Sequence, residues 1–441
     1  MTNDTFQRHA TSENIPYVHP SDPQVHHSMG LAFQAQGQLD WAAQSFEQAL
    51  LAKPDYAEAC YHLANVLRVQ GKLESSKARF ELVLKLEPGC APAYNGLGAV
   101  LRDMGRLDEA FLCFQQAVVL DPNFADAHLS ESLLQLMLGD FTHGWRHYEW
   151  RLIVEKSARP YQQPRWTGEK LESGRLLLWG EQGVGDKIMF AGLFPEVTRT
   201  GSPCVLDCAD ARLQPLFARS FPKIEVVARY YNPGPDIAAH IPMGSLPGLF
   251  RPSLESFQNT SSPYLTAHPF KREEFRTRYA DGRKRIGLAW QTHSRKMIRR
   301  HRRSIHLSLF APLFAQPDIQ WISLQYGNPG AVSEQITTAN APILLDGTVN
   351  QSTDIDTFAA QVAAMDLVIT VDNSTAHLSA ALGIPTWVLL PFAPDWRWFQ
   401  NREDSPWYPS VRLFRQPQPG EWKSVIQKVH HQLLSFSNIS I

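Results

Sequence analysis

The chain has little of what marks secreted or membrane proteins. Its 441 residues include only five cysteines, an odd number that does not describe a disulfide framework. Cys204 and Cys208 have no further Cys or His cluster nearby, so we expect core thiols rather than a metal site. No apolar run approaches the roughly 18 residues that a membrane-spanning helix needs. Residues 1–20 also lack the hydrophobic stretch of a signal peptide. These absences predict a cytoplasmic protein without a membrane span.

Neither sign of charge is in excess. The sequence has 42 Lys and Arg residues against 43 Asp and Glu residues, a formal net charge of -1. A nucleic-acid-binding domain is normally clearly basic, so no nucleic-acid partner is expected. The length exceeds what one hydrophobic core usually serves, which predicts two or three domains.

The first third of the sequence repeats itself every 34 residues. Four columns keep this spacing: Gly37, Gly71, Gly105 and Gly139; Leu39, Leu73, Leu107 and Phe141; Phe46, Phe80, Phe114 and Tyr148; and Pro54, Pro88 and Pro122. In each unit the glycine allows a left-handed helix cap, the aromatic ring of a second helix points inward, and the proline follows that helix. The spacing predicts about four helical pairs over residues 21–153, after a disordered segment at 1–20 and before a linker at 154–174.

This period and these residue types resemble the tetratricopeptide repeat. Such helical pairs stack into a superhelix whose concave face commonly holds a peptide or protein. The resemblance therefore implies a protein partner. A spacer or dimerisation role stays open, and so does the oligomeric state.

From residue 175 onward, short apolar runs alternate with helical patterns, which is typical of α/β folds with parallel sheets. The runs are RLLLW, CVLDC, IEVVA, RIGLAW, IQWISLQY, DLVITV and TWVLL. A Pro- and Ser-rich stretch before RKRIGLAW divides this half, so we expect two α/β lobes, 175–280 and 281–415, with a ligand-binding cleft between them. A helical segment at 416–441 is expected to pack on the first lobe.

The stretch WGEQGVGDKIMF has the form of a nucleotide-binding loop but carries a carboxylate. Gly183 and Gly185 let the chain turn out of the strand, and Asp186 follows at the start of a helix. A carboxylate there would repel a phosphate, but it could accept a proton from a substrate hydroxyl. Simple capping of the helix by Asp186 is the alternative.

A basic segment after RIGLAW indicates anion binding. It holds six cations in nine positions: Arg295, Lys296, Arg299, Arg300, Arg302 and Arg303. Phosphate is the anion that such a cluster favours. A solvated basic loop is the alternative.

The segment VITVDNSTAHLSAAL suits a diphosphate. A buried strand leads into a polar turn and a helix, which together carry Asp372, Asn373, Ser374, Thr375 and His377. The start of such a helix offers backbone amides, hydroxyls and a dipole to an anion. An ordinary N-cap with a structural histidine is the alternative.

Together these motifs resemble the heptosyltransferase-like family, glycosyltransferase family 9, of the two-lobed GT-B fold. The resemblance runs over GEQGVGDKIMF, IGLAW, RRSIHL, VITVDNSTAHLSAALGIPTWVLLP and DWRWFQNREDSPWYPSVRLF. With the repeats, the chain is also similar to nucleocytoplasmic O-linked N-acetylglucosamine transferases and to repeat-bearing enzymes that glycosylate bacterial flagellin. The resemblance implies a bacterial glycosyltransferase with two Rossmann-like lobes, the acceptor on the first and the nucleotide-sugar donor on the second.

The resemblance also implies roles for the site residues. Asp186 would be the general base of an inverting displacement. The donor diphosphate would meet the amides of the turn from Asp372 to Thr375, helped by His377 and by one or more of Lys296, Arg300 and Arg303. These groups would take the leaving-group charge, so no metal and no other cofactor is expected. Heptosyltransferases usually have Thr-Gly where this chain has Asn373 and Ser374, which leaves the donor sugar open.

Two other features are expected to be structural. Four aromatic residues, Trp396, Trp398, Trp407 and Tyr408, could wall a nucleotide or sugar site, but we favour packing. Asp354 and Asp356 spell the D-x-D of metal-dependent glycosyl transfer, yet they precede a helix, where capping explains them better.

The sequence thus predicts a transferase that moves a sugar to a protein hydroxyl, with flagellin as the candidate acceptor and the repeat array docking it. A surface polysaccharide or a lipid-linked glycan as acceptor is a second hypothesis. A non-catalytic repeat adaptor with a degenerate α/β half is a third.

Overall fold

The computed structural model describes residues 22–228, 231–260, 262–293 and 297–437. The segment 1–20, predicted to be disordered, lies outside them. The chain divides into two compact units, Met1–Ala93 and Tyr94–Ile441, at a point inside the predicted repeat array. The domain boundaries given above stay predictions.

Four pairs of helices occupy the repeat region. They are α1 (Pro23–Ala35), α2 (Leu39–Ala52), α3 (Ala57–Val69), α4 (Leu73–Leu86), α5 (Ala91–Asp103), α6 (Leu107–Leu120), α7 (Ala125–Leu138) and α8 (Phe141–Tyr148). The glycine column has the predicted left-handed backbone, with φ of 78°, 79°, 80° and 88° at Gly37, Gly71, Gly105 and Gly139. The aromatic column, Phe46, Phe80, Phe114 and Tyr148, is buried. The predicted helical pairs are therefore confirmed.

The aromatic column requires a small residue on the preceding helix. A Cβ atom added to Gly30 would lie 2.5 Å from the Phe46 ring, and one added to Gly98 would lie 2.6 Å from the Phe114 ring. Distances this short force a neighbour to move. Each ring thus packs directly on the backbone of the neighbouring helix.

After a short helix α9 (Arg151–Val154), the chain forms a four-stranded parallel sheet in the order β3-β2-β1-β4. Its elements are β1 (Arg175–Trp179), α10 (Val184–Ala191), α11 (Phe194–Arg199), β2 (Cys204–Asp207), α12 (Gln214–Ser220), β3 (Ile224–Val227), β4 (Ile237–Pro242), α13 (Leu246–Phe250) and α14 (Pro269–Arg278), with 3₁₀ helices at Met243–Ser245 and Glu255–Asn259. The apolar strand β1 is central, which explains why four of its five residues are buried.

A second sheet has seven strands in the order β10-β11-β9-β8-β5-β6-β7, all parallel except for the β10–β11 pair. Its elements are β5 (Lys284–Ala289), α15 (Met297–Arg303), β6 (Ile319–Ser323), α16 (Pro329–Thr338), β7 (Ile343–Leu344), α17 (Ile355–Val362), β8 (Leu367–Val371), α18 (Ser374–Ala381), β9 (Thr386–Leu390), β10 (Asp404–Ser405), β11 (Tyr408–Arg415) and α19 (Trp422–Ser437), with 3₁₀ helices at Leu307–Ala315 and Trp396–Trp398. The repeat array is thus followed by a mixed α/β region with two sheets.

The position predicted for the C-terminal helix is wrong. Helix α19 packs on the second sheet, not on the first. Its apolar stripe, Trp422, Val425, Ile426, Val429 and Leu433, belongs to the same buried cluster as Phe310, Leu313 and Trp387. The stripe buries its apolar surface there against Trp387 of the sheet and against Phe310 and Leu313 of the 3₁₀ helix Leu307–Ala315.

Within the described residues, no helix is both long enough and apolar enough to cross a membrane.

Replacing Gly98 with Ala tests the packing of the aromatic column. The added methyl group meets the Phe114 ring and, at 3.0 Å, the Ala110 carbonyl oxygen. Overpacking of this kind costs about 1–3 kcal/mol, whereas Ala gains about 1 kcal/mol over Gly in a helix interior. We expect a net loss of about 1 kcal/mol in the free energy of unfolding, measured by urea titration. Gly89→Ala is the control, since a Cβ there meets no atom within 4 Å. Equal effects of the two substitutions would contradict the packing argument.

Candidate ligand-binding site

A cavity of about 280 Å³ lies at the carboxyl ends of strands from both sheets. The segments that follow β1, β5, β6, β8 and β9 each contribute lining residues. Open parallel sheets bind ligands at this edge, because the loops and helix N-termini meet there. Of the predicted site residues, the cavity is lined by Gly183, Gly185, Asp186, Arg303, Asp372, Asn373, Ser374 and His377.

Two helices begin at the cavity and touch each other there. Helix α10 follows β1, and helix α18 follows β8. A Cβ atom on Gly185 would lie 2.9 Å from His377 Cδ2 and 3.5 Å from the Ser374 Cα. Gly185 is therefore needed for the close approach of the two helix N-termini, which both direct a partial positive charge at the cavity.

Asp186 is held at both carboxylate oxygens. Its Oδ2 accepts a hydrogen bond of 3.0 Å from the Gly183 amide, which is the capping contact considered above. Its Oδ1 is paired with the guanidinium of Arg397. A carboxylate has about four lone-pair positions, so two remain for a substrate proton. The side chain is 23% exposed, which leaves it open to the cavity.

Arg397 belongs to a run of alternating charges. We call Asp186, Arg397, Asp395, Arg303 and Asp372 the carboxylate–guanidinium chain. Arg397 also pairs with Asp395, and the two terminal nitrogens of Arg303 each lie 2.9 Å from an oxygen, one of Asp395 and one of Asp372. This carboxylate–guanidinium chain links α10, which follows β1 of the first sheet, to segments that follow β5, β8 and β9 of the second.

The charges within this chain nearly balance. Burial alone would lower the pKa of the Arg397 guanidinium, but the charges of Asp186 and Asp395 outweigh burial and raise that pKa above its ordinary value. Three carboxylates face two guanidiniums, and the two helix N-termini offset roughly half a charge each. An anion that enters the cavity must therefore compete with a carboxylate for an arginine.

The turn before α18 differs from the expected anion-binding turn with free backbone amides. Asn373 Oδ1 accepts hydrogen bonds from the amides of Thr375, at 2.9 Å, and Ala376, at 3.3 Å. The Thr375 amide is therefore engaged within the protein and not free for a diphosphate. Its side chain is also buried. Ser374 is the member of this turn that lines the cavity beside Asp372 and Asn373.

His377 reaches the cavity as a neutral ring. Burial, and secondarily the charge of Arg397, lowers the pKa of His377 to about 4. Its Nδ1 lies 2.9 Å from the Tyr408 hydroxyl, within hydrogen-bond distance. The ring stacks on Trp398 with a centroid separation of 5.3 Å. His377 would therefore help a diphosphate as a hydrogen-bonding group near neutral pH, not as a cation.

The described residues of the basic segment lie in three different environments. Lys296 lies outside the described residues, as does Arg295. Arg300 is exposed and does not line the cavity. Arg302 pairs with Asp103 of the repeat helix α5 at 2.6 Å. Arg303 alone of the predicted donor-binding cations is placed in the cavity, within the part of the chain that the structure describes.

Sequence reasoning missed Asp395 and Arg397. Both lie in APDWRWF, a segment of the glycosyltransferase resemblance in which only the aromatic residues were considered for the site. A carboxylate and a guanidinium two residues apart after a buried strand could have drawn attention to the loop. The pairing of Arg397 with Asp186 could not, because 211 residues separate them along the chain.

The last repeat holds the glycine-rich loop in place. Arg151 is fully buried, and its Nη2 donates a 2.9 Å hydrogen bond to Glu181 Oε1. The Tyr148 hydroxyl donates a 3.0 Å hydrogen bond to Gln182 Oε1. Residues 94–154 are thus a structural part of the unit that forms the cavity.

The aromatic residues and the D-x-D aspartates, both expected to be structural, have structural roles. Trp396, Trp398, Trp407 and Tyr408 are each at most 4% exposed, which confirms the packing interpretation. Asp354 Oδ1 accepts a 2.9 Å hydrogen bond from the Thr357 amide and caps α17. Asp356 instead pairs with Arg219.

Comparisons with known proteins identify the repeats. Residues 33–101 and 91–124 match tetratricopeptide repeat families. The chain is 31% identical over 334 residues to Protein FlbA of Caulobacter vibrioides, a match that covers 70% of this chain and 55% of that protein. The chain therefore spans about half the length of this relative. It contains tetratricopeptide repeats and is similar to FlbA over part of that protein's length.

Solved structures match less than a third of the chain. MamA 41-end from Desulfovibrio magneticus RS-1 is 23% identical, with a TM-score of 0.27, over 31% of this chain and 76% of that one. The first TPR of Spaghetti (RPAP3), solved bound to the HSP90 peptide SRMEEVD, is 20% identical, with a TM-score of 0.26, over 27% of this chain and 94% of that one.

Replacing Asp395 with Asn tests the carboxylate–guanidinium chain. The substitution removes the charge that both Arg303 and Arg397 contact. Removing one partner of a buried ion pair costs about 3–5 kcal/mol, so we expect a loss of this order in the free energy of unfolding by urea titration. The control is Asp404→Asn, whose side chain is 70% exposed and pairs with Arg402, and which should change stability by less than about 0.5 kcal/mol. A loss below about 1 kcal/mol for Asp395→Asn would contradict the account.

The neutral state of His377 predicts a pH dependence. A group whose folded pKa is lowered contributes stability that is present above its unfolded pKa and is lost as the pH falls toward the folded value, here from about 6.5 toward about 4. Between about pH 7.5 and pH 5.5, the protein should lose roughly 1 kcal/mol more stability than His377→Gln does. Unfolding titrations of both proteins at the two pH values measure this difference. Equal losses would show that His377 is not buried as a neutral ring.

Proposed function

We propose that this protein is an inverting glycosyltransferase that moves a sugar from a nucleotide-sugar donor to a protein hydroxyl, with flagellin as the first acceptor to test. The observation that carries the proposal is the cavity at the carboxyl ends of strands from two parallel sheets, with Asp186 at its edge. The two sheets would be the lobes of a GT-B fold, the first on the acceptor side and the second on the donor side. We place the reaction in the cytoplasm.

In the proposed reaction, the acceptor hydroxyl oxygen attacks the anomeric carbon of the donor. The bond from that carbon to the diphosphate oxygen breaks as the new bond forms, which inverts the configuration. Asp186 takes the hydroxyl proton, and the nucleoside diphosphate leaves. The pairing of Asp186 with Arg397 and with the Gly183 amide supports this role, because it orients the carboxylate before the substrate arrives.

The donor diphosphate would bind on the second-sheet side of the cavity. Ser374 at the start of α18 and the guanidinium of Arg303 offer hydrogen-bond donors there. The diphosphate would compete with Asp395 or Asp372 for Arg303, since both carboxylates already contact it. These groups would carry the leaving-group charge, so we propose a transfer that needs no metal and no further cofactor.

The repeat array would dock the acceptor. Tetratricopeptide arrays commonly hold peptides or proteins, and the match to these repeats supports a protein acceptor over a lipid one. A surface polysaccharide or a lipid-linked glycan as acceptor is the alternative proposal.

One observation favours the adaptor as a second candidate function. Both arginines that line the cavity already pair with two carboxylates each of the protein itself. If no anion can displace these carboxylates, the α/β half binds no nucleotide and serves as a scaffold for the repeats.

A thermal-shift screen against UDP, GDP, ADP, CDP and CMP, with and without Mg²⁺, tests donor binding in the full chain. A nucleotide at about 100 times its dissociation constant adds roughly 2.7 kcal/mol to the stability of the folded state. We expect a rise in melting temperature with one nucleotide, independent of Mg²⁺. No rise with any of them would favour the adaptor.

Asp186→Asn tests the general base. We expect transfer to the acceptor to fall by about 10²–10⁴-fold, because Asn cannot take the proton, while the nucleotide-induced thermal shift is kept. Asp354→Asn is the matched control, since Asp354 also caps a helix but lies outside the cavity. Near-normal transfer by Asp186→Asn would overturn the base assignment. Transfer to a lipid-linked glycan but not to flagellin would favour the alternative proposal of a glycan acceptor.

A further inference from the structure

The fourth helical pair holds a polar cluster that the proposed transfer does not use. His128 and Glu131 lie one turn apart on α7, and His147 on α8 faces them. One ligand atom from each of the three side chains lies within 4.8 Å of the others. His128 and Glu131 are only 8% and 5% exposed, so the cluster is largely closed to solvent.

Hydrogen bonding determines which atoms of the cluster face one another. His128 Nε2 lies 2.9 Å from the Pro122 carbonyl oxygen, which can only accept, so Nε2 carries the proton and Nδ1 keeps its lone pair. Within the part of the chain that the structure describes, the buried Nδ1 atoms of His128 and His147 have no hydrogen-bond partner. Buried polar atoms left in this state cost about 1–3 kcal/mol each, so the arrangement calls for a ligand.

We infer that His128 Nδ1, His147 Nδ1 and the Glu131 carboxylate form a binding site for a divalent first-row transition cation such as Zn²⁺. Two imidazole nitrogens and one carboxylate suit these cations, whereas Ca²⁺ and Mg²⁺ prefer oxygen ligands throughout. The Pro122 carbonyl orients the His128 ring as an outer partner. The sequence analysis expected no metal, and this site departs from that expectation.

The three ligand atoms, now within 4.8 Å of one another, must move closer together to bind one cation. Bonds of about 2.0–2.2 Å to a tetrahedral cation place ligand atoms about 3.3 Å apart. His147 Nδ1 now lies 3.8 Å from Glu131 Oε2. His128 is held in place by Trp150, which stacks on it with a centroid separation of 4.2 Å and an interplanar angle of 3°. The His147 side chain is 16% exposed, and its rotation would bring Nδ1 toward the other two ligand atoms.

The bound cation would fasten α7 to α8 in the repeat that supports the glycine-rich loop. Tyr148, which bonds Gln182 of that loop, follows His147 directly. The cation is therefore structural, and none of its three ligands lines the donor cavity. The inference does not depend on the proposed transferase activity.

A second cluster in the chain serves as an internal comparison. His27, Glu58 and His62 also bring three ligand atoms within 4.8 Å. There, however, the Tyr56 hydroxyl lies 3.3 Å from His27 Nδ1, and the Glu58 side chain is 62% exposed. This cluster is open and partly occupied by hydrogen bonding, so it should hold a cation more weakly.

The test uses the full chain without an affinity tag, stripped with a chelator and titrated with Co²⁺, which absorbs visible light when bound by nitrogen and oxygen ligands. We expect saturation at one equivalent, and one Zn²⁺ per chain after gel filtration. His147→Gln and Glu131→Gln should each weaken binding by at least about tenfold. His62→Gln should leave both the spectrum and the affinity unchanged.

Melting of the metal-free variants checks that each one is folded. His147→Gln alters the more exposed ligand, and it keeps the test usable if Glu131→Gln does not fold. An absent Co²⁺ spectrum would overturn the inference and indicate instead a His147–Glu131 ion pair. A spectrum lost in His62→Gln but kept in His147→Gln would overturn it as well.

Discussion

The pairing of Arg397 with Asp186 is the interaction on which the site depends. It connects helix α10, which follows β1 of the first sheet, with the 3₁₀ helix Trp396–Trp398, which follows β9 of the second. Asp395 then connects Arg397 to Arg303. Arg303 in turn pairs with Asp372. Without these contacts, the two helix N-termini at the cavity would face each other with no opposite charge between them. The carboxylate–guanidinium chain thus joins the edges of the two sheets around the cavity.

The same pairing sets the condition under which a ligand can bind. The positive charges of Arg303 and Arg397 are not free for a ligand, because each arginine already pairs with carboxylates. A diphosphate has more charge than one carboxylate and can bond a guanidinium bidentately, so it can compete. In the proposed reaction, this competition would couple donor binding to the charge that surrounds Asp186. His377, neutral and packed against Trp398, adds a hydrogen-bonding group rather than a charge.

The sequence was informative wherever a local pattern decides the structure. The 34-residue spacing fixes the repeats because Gly37 and its counterparts must adopt a positive φ. Apolar runs such as LVITV became buried strands. Strand β4 was missed, since IAAHIP breaks its apolar pattern with His240 and ends in a proline. The site residues Asp395 and Arg397 were missed because their partners come from distant segments. The engagement of the Thr375 amide by Asn373 depends on the rotamer of one side chain, which no pattern of residues reveals.

The central claim is that the cavity receives a nucleoside diphosphate. A crystal structure of the full chain with saturating nucleoside diphosphate tests this most directly. The account predicts phosphate oxygens beside Ser374 and the guanidinium of Arg303, with at least one carboxylate of the chain of charges moved away from its arginine. A nucleotide bound elsewhere, or a cavity with every ion pair unchanged at saturation, would contradict it.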